Sequence, residues 1–251
     1  MIKIENVETM GWGGAIRGMR NAMNSWDKSD SKFCRLSCIT TDVNLDEEDC
    51  NFMCEGNLYR GFLQIGEADM KLCKNLIKAG SSDRKFMRMI HVQADVTAPL
   101  YWWKEYDTYK VGTVANSCST MHTIHKKEFT LDDFSHEHLT TTGIELLEET
   151  IDLLNDWRDW YIHYDEWHHV ITKEITSKKQ VWWQMIQLLP SSFNQMRTID
   201  LDYETLFSIY HQRKNHKLDE WREFCKWIET LPCMKEFLGL DESSGSEEAK
   251  E

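Results

Sequence analysis

The sequence lacks the features of membrane-spanning, secreted and fibrous proteins. No apolar run approaches the roughly 20 residues that a helix needs to cross a bilayer, and the first residues lack the apolar core of a secretory signal. Proline and glycine are scarce, with 3 and 12 copies in 251 residues, which argues against a fibrous or disordered chain. We therefore expect a cytoplasmic protein that neither spans nor inserts into a membrane.

Positive charge is also in short supply. Lysine and arginine number 29 against 42 aspartates and glutamates, so the formal net charge is −13. Nucleic acids and anionic membranes are polyanions, and a strongly acidic protein is poorly suited to bind either without specificity. We expect no nucleic-acid partner, although a local basic pocket can still hold a small anion.

Bulky side chains are abundant, with 11 tryptophans and 12 methionines. A chain of this length has enough residues for one or two domains with a sizeable core. Because neither an internal repeat nor a linker is visible, we expect a single domain over residues 1–240. Residues 241–251 are small and acidic, and we expect them to form a disordered tail.

Eight cysteines without an export signal indicate reduced thiols in the cytoplasm. Cys34-x3-Cys38 and Cys50-x3-Cys54 form two pairs that resemble a zinc site. Most structural zinc sites use the tighter Cys-x2-Cys spacing, so buried thiols are the favoured interpretation and we predict no metal.

The most informative stretch is 92–122, VQADVTAPLYWWKEYDTYKVGTVANSCSTMH. It opens with the alternation of a strand, continues as an aromatic block interleaved with charges, and closes on small polar residues that suit a tight turn at 116–120. Charged groups beside several tryptophans are costly to bury unless they are paired. Two interpretations stay open, a lined pocket or an aromatic core flanked by a solvated face.

Hydrophobic periodicity predicts an α+β fold. The predicted elements are a strand over 1–10, a helix within 11–26, a helix over 62–80, a strand over 86–96, a helix over 143–173, an apolar segment over 182–189, an extended link over 193–199, and helices from Tyr203 and near Trp221. Arg17 and Arg20 lie about one turn apart on the first helix. They could hold a phosphate or carboxylate, or make salt bridges.

Taken in order, several of these segments resemble the flavin-dependent thymidylate synthase (ThyX) family. That family has a helix ending in glycine, a strand, the signature RHRxxSxNExSxR, a long helix, an LP pair, and a late helix with an arginine. Here Asn116-Ser-Cys-Ser119 matches the NExS part of the signature. Leu189-Pro190 and Arg213, with His216 and Glu220, follow at similar distances.

The chain departs from the signature at its arginines. The RHR triplet falls on Tyr109-Lys110-Val111, or near Trp103-Lys104-Glu105 with an insertion, and Met121 replaces the last arginine. In the family those arginines hold the phosphates of flavin and dUMP. Their loss removes charge-assisted hydrogen bonds that make phosphate binding strong.

The resemblance implies a ThyX-like domain with a central antiparallel sheet packed with long helices. It implies catalytic roles for Arg213 and Ser119, and FAD binding by Asn116, Lys104, Lys110 and Trp103. The substrate would be a pyrimidine deoxynucleotide resembling dUMP, bound in a homotetramer. The alternative is a catalytically inactive nucleotide-binding or interaction protein of the same fold, encoded by a phage.

Overall fold

The computed structural model describes residues 2–32, 64–167 and 175–240. Four strands in these ranges form one antiparallel sheet of order β1-β2-β4-β3. The strands are β1 (Lys3–Met10), β2 (His91–Pro99), β3 (Thr113–Ser117) and β4 (Asn194–Asp202). The predicted α+β fold with a central antiparallel sheet is confirmed.

Ten α-helices lie within the same ranges. They are α1 (Trp12–Met19), α2 (Glu67–Ala79), α3 (Leu100–Tyr106), α4 (Thr120–Thr123), α5 (Thr141–Ile162), α6 (Tyr164–Trp167), α7 (Lys178–Leu188), α8 (Tyr203–Arg213), α9 (Asp219–Thr230) and α10 (Met234–Leu238). The predicted amphipathic helix ending at Gly80 is confirmed, because Gly80 is the C-cap of α2.

The alternation along β2 fits a sheet with one buried face. Val92, Ala94 and Val96 are buried, whereas Gln93 and Asp95 point the other way and bind β4. Gln93 Nε2 donates to Asp200 at 2.9 Å, and Asp95 accepts from Thr198 Oγ1 at 2.6 Å. Polar cross-strand pairs of this kind stabilise the pairing of the two strands.

Two of the predicted elements are wrong in part. The predicted strand over 86–96 begins only at His91, because Lys85–Met89 forms a 3₁₀ turn that buries Phe86 and Met87. The predicted link over 193–199 is strand β4, which lies between β2 and β3 in the sheet. Burial of one face, rather than turn chemistry, decides the conformation of both segments.

The described residues group into two compact units. The first contains residues 2–3, 96–108, 116–167 and 175–197, and the second contains residues 4–32, 64–95, 109–115 and 198–240. The single domain over residues 1–240 stays a prediction. The expected tail at 241–251 and the cysteine pairs at 34–54 lie outside the described residues.

The core of the first unit forms around helix α5. Thr140 caps its N-terminus by accepting a hydrogen bond from Gly143 N, and the buried residues Leu147, Ile151 and Leu154 recur at helical spacing. The predicted long helix is confirmed as far as Ile162; its predicted continuation over 168–173 lies outside the described residues.

Aromatic packing forms much of the core of the second unit. The rings of Trp12 and Tyr203 meet edge to face with centroids 5.1 Å apart, and Phe237 packs against both. The indole N–H of Trp12 donates to Thr9 Oγ1 at 3.1 Å, so this buried tryptophan has a polar partner. Asp202 begins α8 by accepting a hydrogen bond from Thr205 N at 2.7 Å.

Replacing Gly11 with alanine should destabilise the second unit by at least about 2 kcal/mol. Gly11 precedes α1 with φ +90°, and a Cβ there would collide with the carbonyl oxygen of Met89. The control is Gly13→Ala, because Gly13 lies inside α1 and a Cβ meets nothing there. Chemical denaturation of both variants provides the measurement. A Gly11→Ala protein as stable as Gly13→Ala would contradict the expectation.

Candidate functional site

Arg213 ends helix α8 and is held on two aromatic rings of the second unit. Its Nε donates to the hydroxyl of Tyr109 at 2.9 Å. The guanidinium carbon lies 4.9 Å from the ring centroid of Trp221 and 5.7 Å from that of Tyr109. Trp221 is fully buried, so the guanidinium rests on a rigid support, as cation–π pairing favours.

Tyr109 joins Arg213 to the loop that precedes β3. Its hydroxyl accepts from Arg213 and donates to Gln212 Oε1 at 3.2 Å, and its carbonyl oxygen accepts from Thr113 Oγ1 at 2.6 Å. Lys110 follows directly and is exposed. Lys110 is therefore the residue next to the one that orients Arg213.

The same loop is tied to the start of α8. Asp202 N donates to Gly112 O at 3.2 Å, and Thr205 Oγ1 donates to Val111 O at 3.2 Å. Gly112 has φ +69°, and a Cβ there would collide with the side chains of Asp202 and Thr205. Glycine is thus required at this position, and it lets the loop that carries Tyr109 and Lys110 approach the helix closely.

Basic groups cluster near Arg213 within an acidic protein. Lys214 and Lys217 are exposed. Burial lowers the pKa of His211 below its ordinary 6.5, and the charges of Lys214 and Arg84 lower it further, so the imidazole is neutral at pH 7. The lowered pKa of His211 indicates a locally positive field, which favours an anionic ligand.

Ser119 and Asn116 lie in the first unit. Strand β3 ends at Ser117 and helix α4 begins at Thr120, so the predicted turn at 116–120 is confined to Cys118 and Ser119. Ser119 is the N-cap of α4, but its hydroxyl makes no capping hydrogen bond; its carbonyl oxygen accepts from Thr123 Oγ1 at 2.7 Å. Asn116 is exposed on β3.

Trp103 is part of the core rather than of an open surface. Its side chain is 1% exposed, its indole N–H donates to Gln195 O at 2.8 Å, and the guanidinium of Arg197 lies 4.3 Å from its ring centroid. The buried rings of Trp102 and Tyr106 pack against it at 4.8 and 5.1 Å. For these three rings the core interpretation of the aromatic block is correct, and Lys104 lies exposed between them in sequence.

Gln195 is a residue that sequence reasoning missed. Its Nε2 donates to Cys118 O and to Thr120 Oγ1, both at 3.0 Å, and its Oε1 accepts from Arg197 Nε at 3.0 Å. Gln195 therefore fixes the backbone on both sides of Ser119. No sequence signal could have found it, because a single glutamine in a segment predicted as a link has no distinguishing pattern.

Neither a metal cluster nor a membrane helix is found in the part of the chain that the structure describes. No group of three His, Cys, Asp or Glu side chains there is placed to hold a metal ion. No helix there has both the length and the apolar character required to cross a membrane.

Comparison with known proteins finds similarity at the level of the fold alone. No family model matches the sequence, and no curated protein matches it. Two solved structures do match, both of ThyX from Helicobacter pylori with FAD and dUMP. One has a TM-score of 0.56 at 11% identity, over 96% of this chain and 98% of that chain. The other has a TM-score of 0.58 at 12% identity, over 95% and 98%. The chain thus has a ThyX-like fold.

Proposed function

We propose that this protein is a divergent ThyX-like protein that binds a pyrimidine deoxynucleotide such as dUMP through Arg213. The observation that supports the proposal most is the mounting of Arg213 on Trp221 and Tyr109. A guanidinium held in one orientation has its fork of N–H donors set before the ligand arrives, which suits a phosphate or a pyrimidine carbonyl. The fold is that of proteins solved with dUMP.

Lys110 has the position and freedom to assist Arg213. It is exposed, and no hydrogen bond or ion pair within residues 2–32, 64–167 and 175–240 engages its ammonium group. Lysine binds phosphate as a mobile point charge. In this proposal Arg213 orients the nucleotide and Lys110 neutralises part of the phosphate charge.

FAD is the cofactor that the resemblance implies, and bound FAD would supply reducing equivalents for nucleotide methylation. Lys104 and Asn116 of the first unit fit a flavin ligand, because both are exposed and no described residue engages either side chain. An ammonium and an amide can hold a pyrophosphate or the polar edge of a ring. Trp103 does not fit ring stacking, since Arg197 covers its buried ring. We assign Trp103 to positioning Gln195.

Ser119 is the proposed catalytic hydroxyl. Gln195 fixes the carbonyl of Cys118 and the hydroxyl of Thr120 on either side of it, so its backbone is held in place. A serine hydroxyl can donate one hydrogen bond and accept two. Its role would be to donate to a phosphate oxygen or a pyrimidine carbonyl and so orient the substrate. By resemblance we also propose a homo-oligomer, which sedimentation analysis tests.

Nucleotide binding is tested by titrating the full chain with dUMP and, as the matched ligand without phosphate, deoxyuridine. We expect dUMP to bind at least about tenfold more tightly, because charge-assisted hydrogen bonds to phosphate contribute about 1.5–3 kcal/mol each. Isothermal titration calorimetry provides both dissociation constants. Equal affinity for the two ligands would exclude the phosphate contact, and no binding of either would exclude the proposal.

The flavin part is tested separately by the absorption spectrum of the purified protein, before and after FAD is added. Stoichiometric bound flavin, reduced in Lys104→Ala, supports the flavin-dependent form of the proposal. dUMP binding without flavin binding favours the alternative, an inactive nucleotide-binding protein, because it matches the loss of the signature arginines. Binding of neither ligand leaves an interaction protein of this fold.

A further inference from the structure

A cavity of about 230 Å³ lies in the first unit, between the segment Cys118–Asp133 and the start of β4. It is smaller than the roughly 300–1,000 Å³ typical of sites for drug-sized ligands. Its occupant must therefore be small, of about one ring. Thr120 and Gln195 line it, and neither Arg213 nor Lys110 does, so a ligand here is independent of the function proposed above.

One side of the cavity is aromatic and apolar. Phe129 and Phe193 line it and meet edge to face with centroids 6.1 Å apart. Phe134 packs behind them, at 6.3 Å from Phe129 and 5.6 Å from Phe193. Ile124, which is 6% exposed, completes this wall. Because aromatic rings favour offset or edge-to-face neighbours, a planar ring is the shape that extends this cluster best.

The opposite side is polar and held in place before any ligand binds. The amide of Gln195 is fully engaged by Cys118 O, Thr120 Oγ1 and Arg197 Nε. Cys118 N also donates to Met196 O at 3.0 Å, which ties the two walls together through the backbone. A preformed wall avoids the entropy cost of ordering side chains on binding.

The polar groups left over on this side are mainly donors. Thr120 Oγ1 accepts from Gln195, which leaves its own proton available to donate. Asn194 Oδ1 accepts from Ser135 Oγ, and within the described ranges no hydrogen bond uses the amide nitrogen of Asn194. A ligand rich in acceptors, such as ring carbonyl oxygens, matches this arrangement.

The charged groups at the cavity do not select an ionic ligand. Lys127 Nζ lies 2.7 Å from Asp133 Oδ1, so this pair is mutually neutralised. Asp133 Oδ2 accepts from the backbone and hydroxyl of Thr130, which occupies the second carboxylate oxygen. Glu128 adds one exposed negative charge and disfavours an anion.

We propose that this cavity binds one planar heteroaromatic ring of nucleobase size that carries carbonyl acceptors and no net charge. The ring packs edge to face against Phe129 and Phe193, and its carbonyl oxygens accept from Thr120 and Asn194. The site adds a second ligand to the protein, distinct from the phosphate-bearing ligand of Arg213.

The test uses the full chain with uracil as probe, and dihydrouracil as the matched compound that keeps both carbonyls but loses the planar aromatic ring. We expect uracil to bind with a dissociation constant on the order of 1 mM, as befits eight non-hydrogen atoms, and dihydrouracil about fivefold more weakly. Ligand-observed NMR measures both. Equal binding of the two compounds would contradict ring recognition, and no uracil binding would overturn the site.

Variants locate the binding. Thr123 is exposed and lines the cavity, so Thr123→Phe should fill it and abolish uracil binding. His122→Phe is the control, since His122 is exposed on the same helix and does not line the cavity. Uracil binding that survives Thr123→Phe, or that is lost in Arg213→Ala, would place uracil elsewhere and overturn the proposal.

Cys118 provides a second readout. Its thiol is exposed and lines the cavity, so saturating uracil should slow its alkylation by iodoacetamide at least about threefold, as measured by mass spectrometry of the peptide. Cys233, which is partly exposed and does not line the cavity, is the internal control. An unchanged rate at Cys118 despite saturating uracil would also overturn the site.

Discussion

Asp69→Ala should lower the free energy of unfolding by about 3–5 kcal/mol. Asp69 is fully buried in the second unit and pairs with Arg20, whose side chain is 5% exposed, at 2.6 Å. Without the carboxylate the guanidinium stays buried with its charge uncompensated, and breaking a buried pair in this way is strongly destabilising. The alternative that Arg20 makes a salt bridge, rather than holding a ligand, is thus correct.

The loss extends beyond the ion pair. Asp69 Oδ2 accepts hydrogen bonds from the hydroxyls of Ser29 and Ser31, at 2.7 and 2.6 Å, and from the backbone N–H groups of Asp30 and Ser31. One carboxylate therefore fixes residues 29–31 against the first turn of α2. Each donor left unsatisfied in a buried position adds to the cost.

Asp30→Ala is the matched control. Asp30 Oδ1 and Oδ2 accept from Asp69 N and Ala68 N at the start of α2, but Asp30 is exposed. Loss of such a helix cap costs about 1 kcal/mol. Urea denaturation of both variants gives the two free energies. Similar losses in the two proteins would show that the buried pair contributes little.

The pH dependence of stability follows from the same carboxylate. Burial raises the pKa of Asp69, but hydrogen bonds from Ser31, Ser29 and Arg20, with the charge of Arg20, outweigh it and lower the pKa below its ordinary 3.8. A lowered pKa stabilises the fold fully above the unfolded value, and the stabilisation is lost as pH falls through the folded value. Unfolding free energy should therefore fall below about pH 4.

Asp69→Asn should flatten that pH dependence, because the amide does not titrate. A residual slope is expected from Asp95, whose pKa is lowered by hydrogen bonds from Thr198 and Asn6. Denaturation at several pH values between about 2.5 and 6 measures the slope. An unchanged slope in Asp69→Asn would mean that the pKa of Asp69 is not lowered by folding.

The fold was predictable wherever one element carries its own pattern. The stripe of Leu147, Ile151 and Leu154 identified α5, and Gly80 marked the end of α2. Strand β4 was not predictable, because its side chains alternate only in the context of a sheet whose neighbours are far away in sequence. Phe86 was misassigned for a similar reason, since a buried aromatic residue is compatible with a strand or with a 3₁₀ turn.

The candidate site was predictable only in part. Arg213 and Ser119 were found through an ordered resemblance, and their neighbours were not. The partner of Arg213, Tyr109, is 104 positions away, and Gln195 is 77 positions from Cys118. Contacts over such separations depend on the sheet and on chain topology, which no local periodicity encodes.

Arg213→Ala should weaken dUMP binding by about 10- to 100-fold, because one charge-assisted contact to phosphate contributes about 1.5–3 kcal/mol. Binding of deoxyuridine should change less than about threefold if the contact is to the phosphate. Arg213→Lys keeps the charge but loses the planar fork, so we expect an intermediate loss. Calorimetric titration with both ligands measures each variant.

Tyr109→Phe separates orientation from charge. It removes the hydroxyl that accepts from Arg213 Nε while keeping the ring on which the guanidinium rests. If orientation matters, dUMP affinity should fall about three- to tenfold with the charge of Arg213 intact. Lys217→Ala, at an exposed residue of the same basic segment, controls for the general field and should change affinity by less than about twofold at physiological salt. Equal losses in Arg213→Ala and Lys217→Ala would mean that the basic segment attracts the nucleotide as a whole. The mounting of Arg213 on Trp221 would then serve only the packing of α8 against α9.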